Sequence, residues 1–215
     1  MAARAEREAT KDALDRRRRQ ILDETADRLE SGADPDDDVM PRLFRTLTAE
    51  RIVDAALGFV VVDPARPLQL GFIEGFDPQL ALRCGTVRLG QGICGTVALT
   101  RSAVHVTGIQ ASADPISELV RTAGFDACAS EPLIVGEQLL GTLCFASRVR
   151  RSFAADDLLL FRKLAKQLAK ARAKLAKGRD HPLSLTLARH RWRQNRLTFV
   201  RTHFPADAGM PTSGR

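Results

Sequence analysis

The sequence predicts an α+β domain, an α/β/α sandwich with helices packed on a sheet. Three observations carry this. Apolar runs bounded by turn residues, Ala55–Asp63 and Leu68–Phe76, read as strands, and Ala127–Val135 with Gln138–Ser147 reads as a hairpin around Gly136-Glu137. Apolar residues at helical spacing stand on both sides of these strands, as Val39, Leu43, Phe44 and Leu47 before them and in Ala154–Lys177 after them. Between them Gly90 and Gly92 open a short helix, Ile93–Thr100.

Residues 2–31 are rich in Ala, Arg, Glu and Asp, a helix-favouring composition. Their apolar residues, Leu14, Ile21, Leu22 and Leu29, form a thin stripe, and Arg16 to Arg19 fill the remaining face. Such a helix is expected to act as a linker or half of a weak coiled coil. Gly32 fits its C-terminal cap, and Asp34-Pro35 the start of a second helix running to about Ala49. After the first two strands, Asp77-Pro78 begins a helical turn to about Leu82, and Thr86-Val87-Arg88 is extended. Ala103–Val106 is a short strand. Ser112–Ala123 is a helix with Ser112 and Asp114 as N-cap candidates and Gly124 as C-cap.

The last helix has Asp156 and Asp157 in its first turn and Lys170, Arg172, Lys174 and Lys177 late, an order that suits the helix dipole. Phe161, Leu164, Leu168, Ala171 and Leu175 are spaced 3, 4, 3, 4. That is a short heptad seam, and a homodimer contact through Phe161, Leu164, Leu168 and Leu175 is expected from it. The boundaries that follow are an N-terminal helix over 1–33, a globular domain over 34–177 and a basic tail over 178–215.

Composition excludes several classes. No apolar run approaches the ~20 residues needed to span a membrane, and the charged N-terminus lacks an apolar signal core, so a cytoplasmic protein is expected. The net charge of +7 sits mostly in the tail, where seven Arg against two Asp give +5. Trp192 among arginines could stack on a base, but the basic tail is read as solvated, and no nucleic-acid partner is expected. Cys84, Cys94, Cys128 and Cys144 form no CxxC pair and have no histidine partners, so neither metal nor cofactor is expected, and the thiols are read as structural.

From about Val39 to Leu175 the chain resembles a GAF domain, the sensory module of many bacterial histidine kinases. The residues that carry the resemblance are Gly90-Gln91-Gly92-Ile93-Cys94-Gly95-Thr96-Val97-Ala98 and the helix start at Asp114-Pro115. Two more stretches add to it: Glu131-Pro132-Leu133 followed by Leu139-Leu140-Gly141-Thr142-Leu143, and Phe153 with Asp156-Asp157 leading the final helix. The resemblance implies an antiparallel sheet of five or six strands, with the terminal helices bundled on one face and a ligand on the other.

Phe72, Val87, Gly92, Ile93, Cys94, Ile109, Ile116, Leu119, Cys128, Ser130, Cys144 and Ala146 are the expected ligand-binding residues, some of which must point away because strand faces alternate. Gly90 and Gly92 can take positive φ, and the helix after them aims backbone N–H groups at the pocket, which suits a polar or anionic ligand.

No catalysis is expected. The function expected is a two-component-type sensor that binds a small molecule and relays its state through dimerising helices to a histidine kinase or similar output. No phosphoacceptor box, ATP-binding motif or cyclase signature is found in the chain.

The alternatives are a ligand-free dimerisation scaffold and a thiol enzyme similar to free methionine sulfoxide reductase. In that family a cysteine stands ten residues before the Gly-x-Gly-x-Cys-Gly cysteine, as Cys84 stands before Cys94. Its third cysteine has no counterpart in Ile109–Ala123, and Cys128, Cys144 and Ala146 stand where it uses carboxylates. The Cys-His pair of bilin-binding relatives is missing from Ser112–Ala123. A cyclic nucleotide would have to stack on Phe or Arg.

Overall fold

The computed structural model describes residues 2–31, 39–77 and 84–177. The helix stop at Gly32, the turn after Asp77-Pro78 and the basic tail lie outside the described residues. Residues 1–174 form one compact unit, and a second begins at Leu175.

The elements run α1 (Ala2–Glu30), α2 (Met40–Ala49), β1 (Ala55–Val60), β2 (Leu68–Glu74), β3 (Thr86–Val87), α3 (Gly92–Thr100), β4 (Val104–Thr107), α4 (Glu118–Thr122), β5 (Ala127–Val135), β6 (Gln138–Ser147) and α5 (Ala155–Lys177). Among the described residues six strands make one sheet in the order β3-β2-β1-β6-β5-β4, and every pairing is antiparallel. The α+β architecture and the strand count expected from the sequence are both present.

The predicted helix over 112–123 is broken up. Two single 3-10 turns, Ile109–Ala111 and Pro115–Ser117, precede a short α4. Asp114 caps the second turn, accepting a hydrogen bond from the backbone N–H of Ile116 at 3.0 Å. Pro115 gives up no intrahelical donor at that first position.

The sheet divides the interior into two cores. On one face Ile21 of α1, Leu43 and Leu47 of α2, and Leu160, Phe161, Leu164 and Leu168 of α5 pack on Ala129, Leu143 and Phe145. On the other face Leu57, Phe59, Val87, Ile93, Cys94, Cys128 and Cys144 pack together under α3. Period-two alternation in β5 and β6 sends neighbouring side chains to opposite cores.

Two sequence expectations change here. Helix α1 does not stand clear of the domain: Ile21 is 1% exposed in the core, and buried Thr25 returns its hydroxyl to the Ile21 carbonyl. The seam of α5 is also turned inward. Phe161 and Leu164 are fully buried and Leu168 is 3% exposed, with Phe161 stacked on Phe145 at 4.2 Å between ring centroids. Those three side chains are committed to the chain's own sheet and are not free to meet a second copy. Leu175 falls beyond the first compact unit. A heptad spacing of two turns is shared by coiled coils and by any helix lying on a flat apolar face, and here the sheet supplies that face.

An ionic cluster joins α1 to α5. Asp157 is 1% exposed and accepts from Arg18 Nη2 at 2.7 Å and from Arg150 Nη1 at 3.1 Å. Burial alone would lower the Arg18 pKa, but Asp157, with Asp156 and Asp15, outweighs it and raises it. Arg150 also donates from Nε and Nη2 to the Arg51 carbonyl, which ties the chain after β6 to the end of α2. Next to this cluster, just before β1, Asp54 accepts from the Ser147 hydroxyl at 2.6 Å and from the Arg148 N–H at 2.7 Å. Burial alone would raise the Asp54 pKa, but these bonds hold it below the usual carboxylate value.

Removing the Asp157 carboxylate takes away the anion that Arg18 and Arg150 share and leaves Arg18 with Asp15 at 3.2 Å and Asp156 at 3.9 Å. Asp157→Ala is expected to lower the unfolding free energy by about 3 kcal/mol, the scale for breaking a buried pair. Urea unfolding measures it. A loss under about 0.5 kcal/mol, typical of exposed pairs, would show that solvent screens the cluster.

Candidate functional site

The glycine turn that opens α3 is built by short backbone contacts. Gly90 and Gly92 have φ of +80° and +59°, the left-handed region that an L side chain rarely enters. The Gly90 N–H donates to the Gly95 carbonyl at 2.7 Å, and the Gln91 side-chain oxygen accepts from the Arg88 N–H at 3.0 Å. Gly95 is held by space rather than by φ: a Cβ there would sit 2.2 Å from the Arg88 carbonyl oxygen. This contact lets α3 lie close to the sheet and brings Cys94 onto the strands.

Most of the predicted site residues do converge. Val87, Ile93, Cys94, Ile109, Cys128, Cys144 and Ala146 belong to the apolar cluster under α3, and Ile116 packs against it. Ser130 is fully buried, and its hydroxyl lies 3.8 Å from Cys94 Sγ. Gly92 is half-buried at the start of the helix, with the Ile116 carbonyl above it.

Two do not join. Leu119 is 41% exposed. Phe72 lies on the opposite face, edge-on to Phe44 of α2 at 6.5 Å between ring centroids. The cause is a register shift: Gly58 pairs with Phe72 but Phe59 pairs with Leu70, so Gly71 is an extra residue in β2. One extra residue reverses the parity of every position after it. A glycine inside an apolar strand was the available signal.

The converging residues form a packed core, with Cys128, Cys144, Ala146 and Ile109 all 1% exposed or less. Within it lies a small polar group. Cys128 Sγ and Cys144 Sγ are 3.1 Å apart. Cys94 is bordered by Cys144, Ser130 and Thr142. The contact with Cys144 and burial push the Cys94 thiol well above its ordinary pKa, so it is protonated at neutral pH. Cys144 is pushed up as well, chiefly by Cys128. The Thr142 hydroxyl is buried with the Cys94 thiol as its polar neighbour, a weak partner that leaves it without a well-formed hydrogen bond. An unmet buried hydroxyl costs about 1–3 kcal/mol, and sequence reasoning did not single it out.

A narrow cleft of about 20 Å³, partly open to solvent, lies on the helix-bearing face, where no site was expected. Met40, Phe72, Leu133, Leu143 and Leu168 line it, with Arg172 at its edge. Gly58 and Gly71 of the paired strands β1 and β2 are also among its lining residues.

His105 does not stand alone as its sequence setting suggests. Its Nε2 lies 3.0 Å from Glu131 Oε1, which is buried on the helix-bearing face, and Arg162 of α5 approaches the other carboxylate oxygen at 4.0 Å. Among the described residues no group of three His, Cys, Asp or Glu side chains is arranged to hold a metal ion. Among them, too, no helix is long and apolar enough to cross a membrane.

A sequence profile for the GAF domain matches residues 33–173. The chain belongs to the GAF domain family. No curated protein matches it. Among solved structures it is similar to the GAF domain of a phosphoenolpyruvate-protein phosphotransferase from Coxiella burnetii, at 20% identity and a TM-score of 0.62, over 75% of this chain and 96% of that one. It is equally similar to free methionine-R-sulfoxide reductase from Neisseria meningitidis in complex with its substrate, at 20% identity and a TM-score of 0.62, over 75% of this chain and 91% of that one. The reduced reductase of Staphylococcus aureus matches at 15% identity and a TM-score of 0.57, over 72% of this chain and 94% of that one. The expectation that the chain is not an enzyme is therefore corrected: the fold it shares is one on which enzymes are built. At these identities the likeness establishes the fold.

The tight seat of α3 makes a sharp prediction. Gly95→Ala must displace the helix or the Arg88 backbone, and should cost more than about 2 kcal/mol and lower Tm by several degrees. Gly58→Ala is the control, since its Cβ would meet nothing closer than 3.6 Å. Thermal unfolding that ranks the two alike would contradict the role given to Gly95.

Proposed function

We infer that the domain is a small-molecule-responsive module whose input is on the α3 face and whose output is through α1 and α5. The observation that carries this is the buried Thr142 hydroxyl, whose polar neighbour is the Cys94 thiol, a weak partner that leaves it without a well-formed hydrogen bond, close to Ser130. A polar ligand atom reaching that group would satisfy it, and apolar Ile93, Ile109 and Cys128 would cover the rest of the ligand. Ligand entry must part α3 and the 115–122 segment from the sheet, because the cluster is packed in the described state. The differential binding between the closed and parted arrangements supplies the signal.

The path to the output is short. Ser130 and Cys144 are direct cross-strand partners, and next to Cys144 the side chain of Phe145 stacks on Phe161 of α5. Asp157 at the start of α5 in turn holds Arg18 of α1. A shift of β6 therefore reaches both terminal helices. The partner that reads those helices belongs to signalling, a histidine kinase being one such class, and a second copy of the chain would have to meet surfaces other than the buried face of α5.

Differential scanning fluorimetry with cyclic nucleotides, amino acids and small organic acids tests this. A true ligand at 100 times its Kd stabilises by about 2.7 kcal/mol, a shift of several degrees. The shift should vanish in Thr142→Val, which keeps shape and removes the hydroxyl. A shift that persists undiminished in that variant, or no shift from any compound, removes the support for this site.

A second reading rests on the spacing of Cys84 and Cys94 together with the reductases that share the fold. In it, one of the two thiols reduces free methionine sulfoxide. The raised pKa of Cys94 and the absence of a carboxylate at Cys128, Cys144 and Ala146 count against it. Purified protein with a thiol-recycling system and free methionine sulfoxide decides: NADPH-coupled turnover that is lost in Cys94→Ser would establish the enzyme, and no turnover above the uncatalysed rate would remove it.

A further inference from the structure

Three thiols meet inside one face of the sheet, and neither the sensory nor the reductase reading gives the sulfurs of Cys128 and Cys144 any chemistry. Cys128 on β5 stands opposite Ala146, and Ser130, two residues on, stands opposite Cys144. Cys128 and Cys144 are thus diagonal neighbours on the same side of adjacent strands. Their sulfurs are 3.1 Å apart, and the residues are 0% and 1% exposed. Cys94, at 8% exposed, borders Cys144 from the α3 side.

We propose that Cys128 and Cys144 are a redox couple, oxidised by a hydroperoxide to a disulfide that links β5 to β6. In the first step one sulfur, as thiolate, attacks a peroxide oxygen. An S–O bond forms, the O–O bond breaks, and with hydrogen peroxide the departing oxygen leaves as water after taking a proton. The sulfenic acid then meets the second sulfur in contact with it. The S–S bond forms, the S–O bond breaks, and the hydroxyl leaves as water with the second thiol's proton. Two thiols and one hydrogen peroxide give one disulfide and two waters. The sulfur pair loses two electrons and the peroxide gains them. A dithiol reductant reverses the oxidation by exchange.

The contact has a mechanical consequence. A disulfide holds its sulfurs about 2.05 Å apart, so the pair must close by about 1 Å. Diagonal positions start further apart than directly opposed ones, so closure shears β5 against β6. Phe145, next to Cys144, carries that movement to Phe161 of α5 on the other face. The device needs no bound ligand, so a failed ligand screen leaves it standing, and its own failure leaves the ligand reading standing.

The test uses the full chain, reduced and desalted, then exposed to millimolar hydrogen peroxide and alkylated under denaturing conditions. Mass spectrometry should find two thiols lost from the alkylation count and a cross-linked peptide pair containing Cys128 and Cys144. Dithiothreitol should restore both. Because only the thiolate reacts, and the contact with Cys128 together with burial pushes the Cys144 thiol up, the link should form faster at pH ~9 than at pH ~7. Cys128→Ala and Cys144→Ala should each abolish it. If either variant fails to fold, the peptide map of the unaltered protein decides alone. Four alkylatable thiols after treatment, a link confined to Cys84 and Cys94, or irreversible oxidation without any link would overturn the proposal. Hydrogen exchange over 155–177 should differ between the reduced and linked forms, and identical exchange would overturn the coupling to α5.

Discussion

A carboxylate that keeps 1% of its surface exposed must find its partners inside the protein. Asp157 finds them in Arg18 and Arg150, which come from segments 139 and 7 residues away. The arrangement at this point fixes where α1 crosses α5, and Arg150 at the same time holds the end of α2 through the Arg51 carbonyl. The helix-bearing core forms around that junction. Ile21 is delivered to it one helical turn beyond Arg18, and Phe161 one turn beyond Asp157. Packing gives the core its stability, but hydrophobic contact is nondirectional. The directional ionic contacts choose which face of α1 is turned inward.

The sheet then separates two tasks by parity. Successive residues of β6 alternate between the cores, so Cys144 belongs to the α3 face and Phe145 to the α5 face. A strand with both faces buried cannot move on one side alone. A displacement at Cys144 would act on the neighbouring Phe145, whose ring stacks on Phe161 of α5 at 4.2 Å between centroids. Such a mechanical link would serve a bound ligand and a disulfide equally well. The fold alone does not separate these uses: each depends on a few side chains of the α3 face, and the scaffold is indifferent to them.

Much of the fold was legible from local rules. The hairpin around Gly136-Glu137, the capping Asp114 and the glycine turn before α3 appear where their residue types require them. The convergence of Cys94, Ile109, Cys128, Ser130, Cys144 and Ala146 was legible too, because a strand's period of two and a helix opened by glycine leave few ways to arrange them. What misled was ambiguous in principle. The spacing of Phe161, Leu164 and Leu168 suits a partner helix or a sheet, and only the position of the sheet chooses. The thin stripe of α1 looked too narrow for a core, yet Ile21 with Arg18 was enough once Asp157 was near.

By itself the sequence determined the order and type of the elements, the glycines that the turns require and the set of residues gathered under α3, since these depend on neighbours a few positions apart. The tertiary structure decided the rest. It set Phe72 on the far face through the extra residue at Gly71, turned the seam of α5 inward, paired His105 with Glu131 and placed the sulfurs of Cys128 and Cys144 in contact. Each of these is a relation between segments far apart in the chain. Strand register and helix rotation fix such relations only after the sheet has closed, and no local pattern encodes a distance of 3.1 Å between residues 16 positions apart.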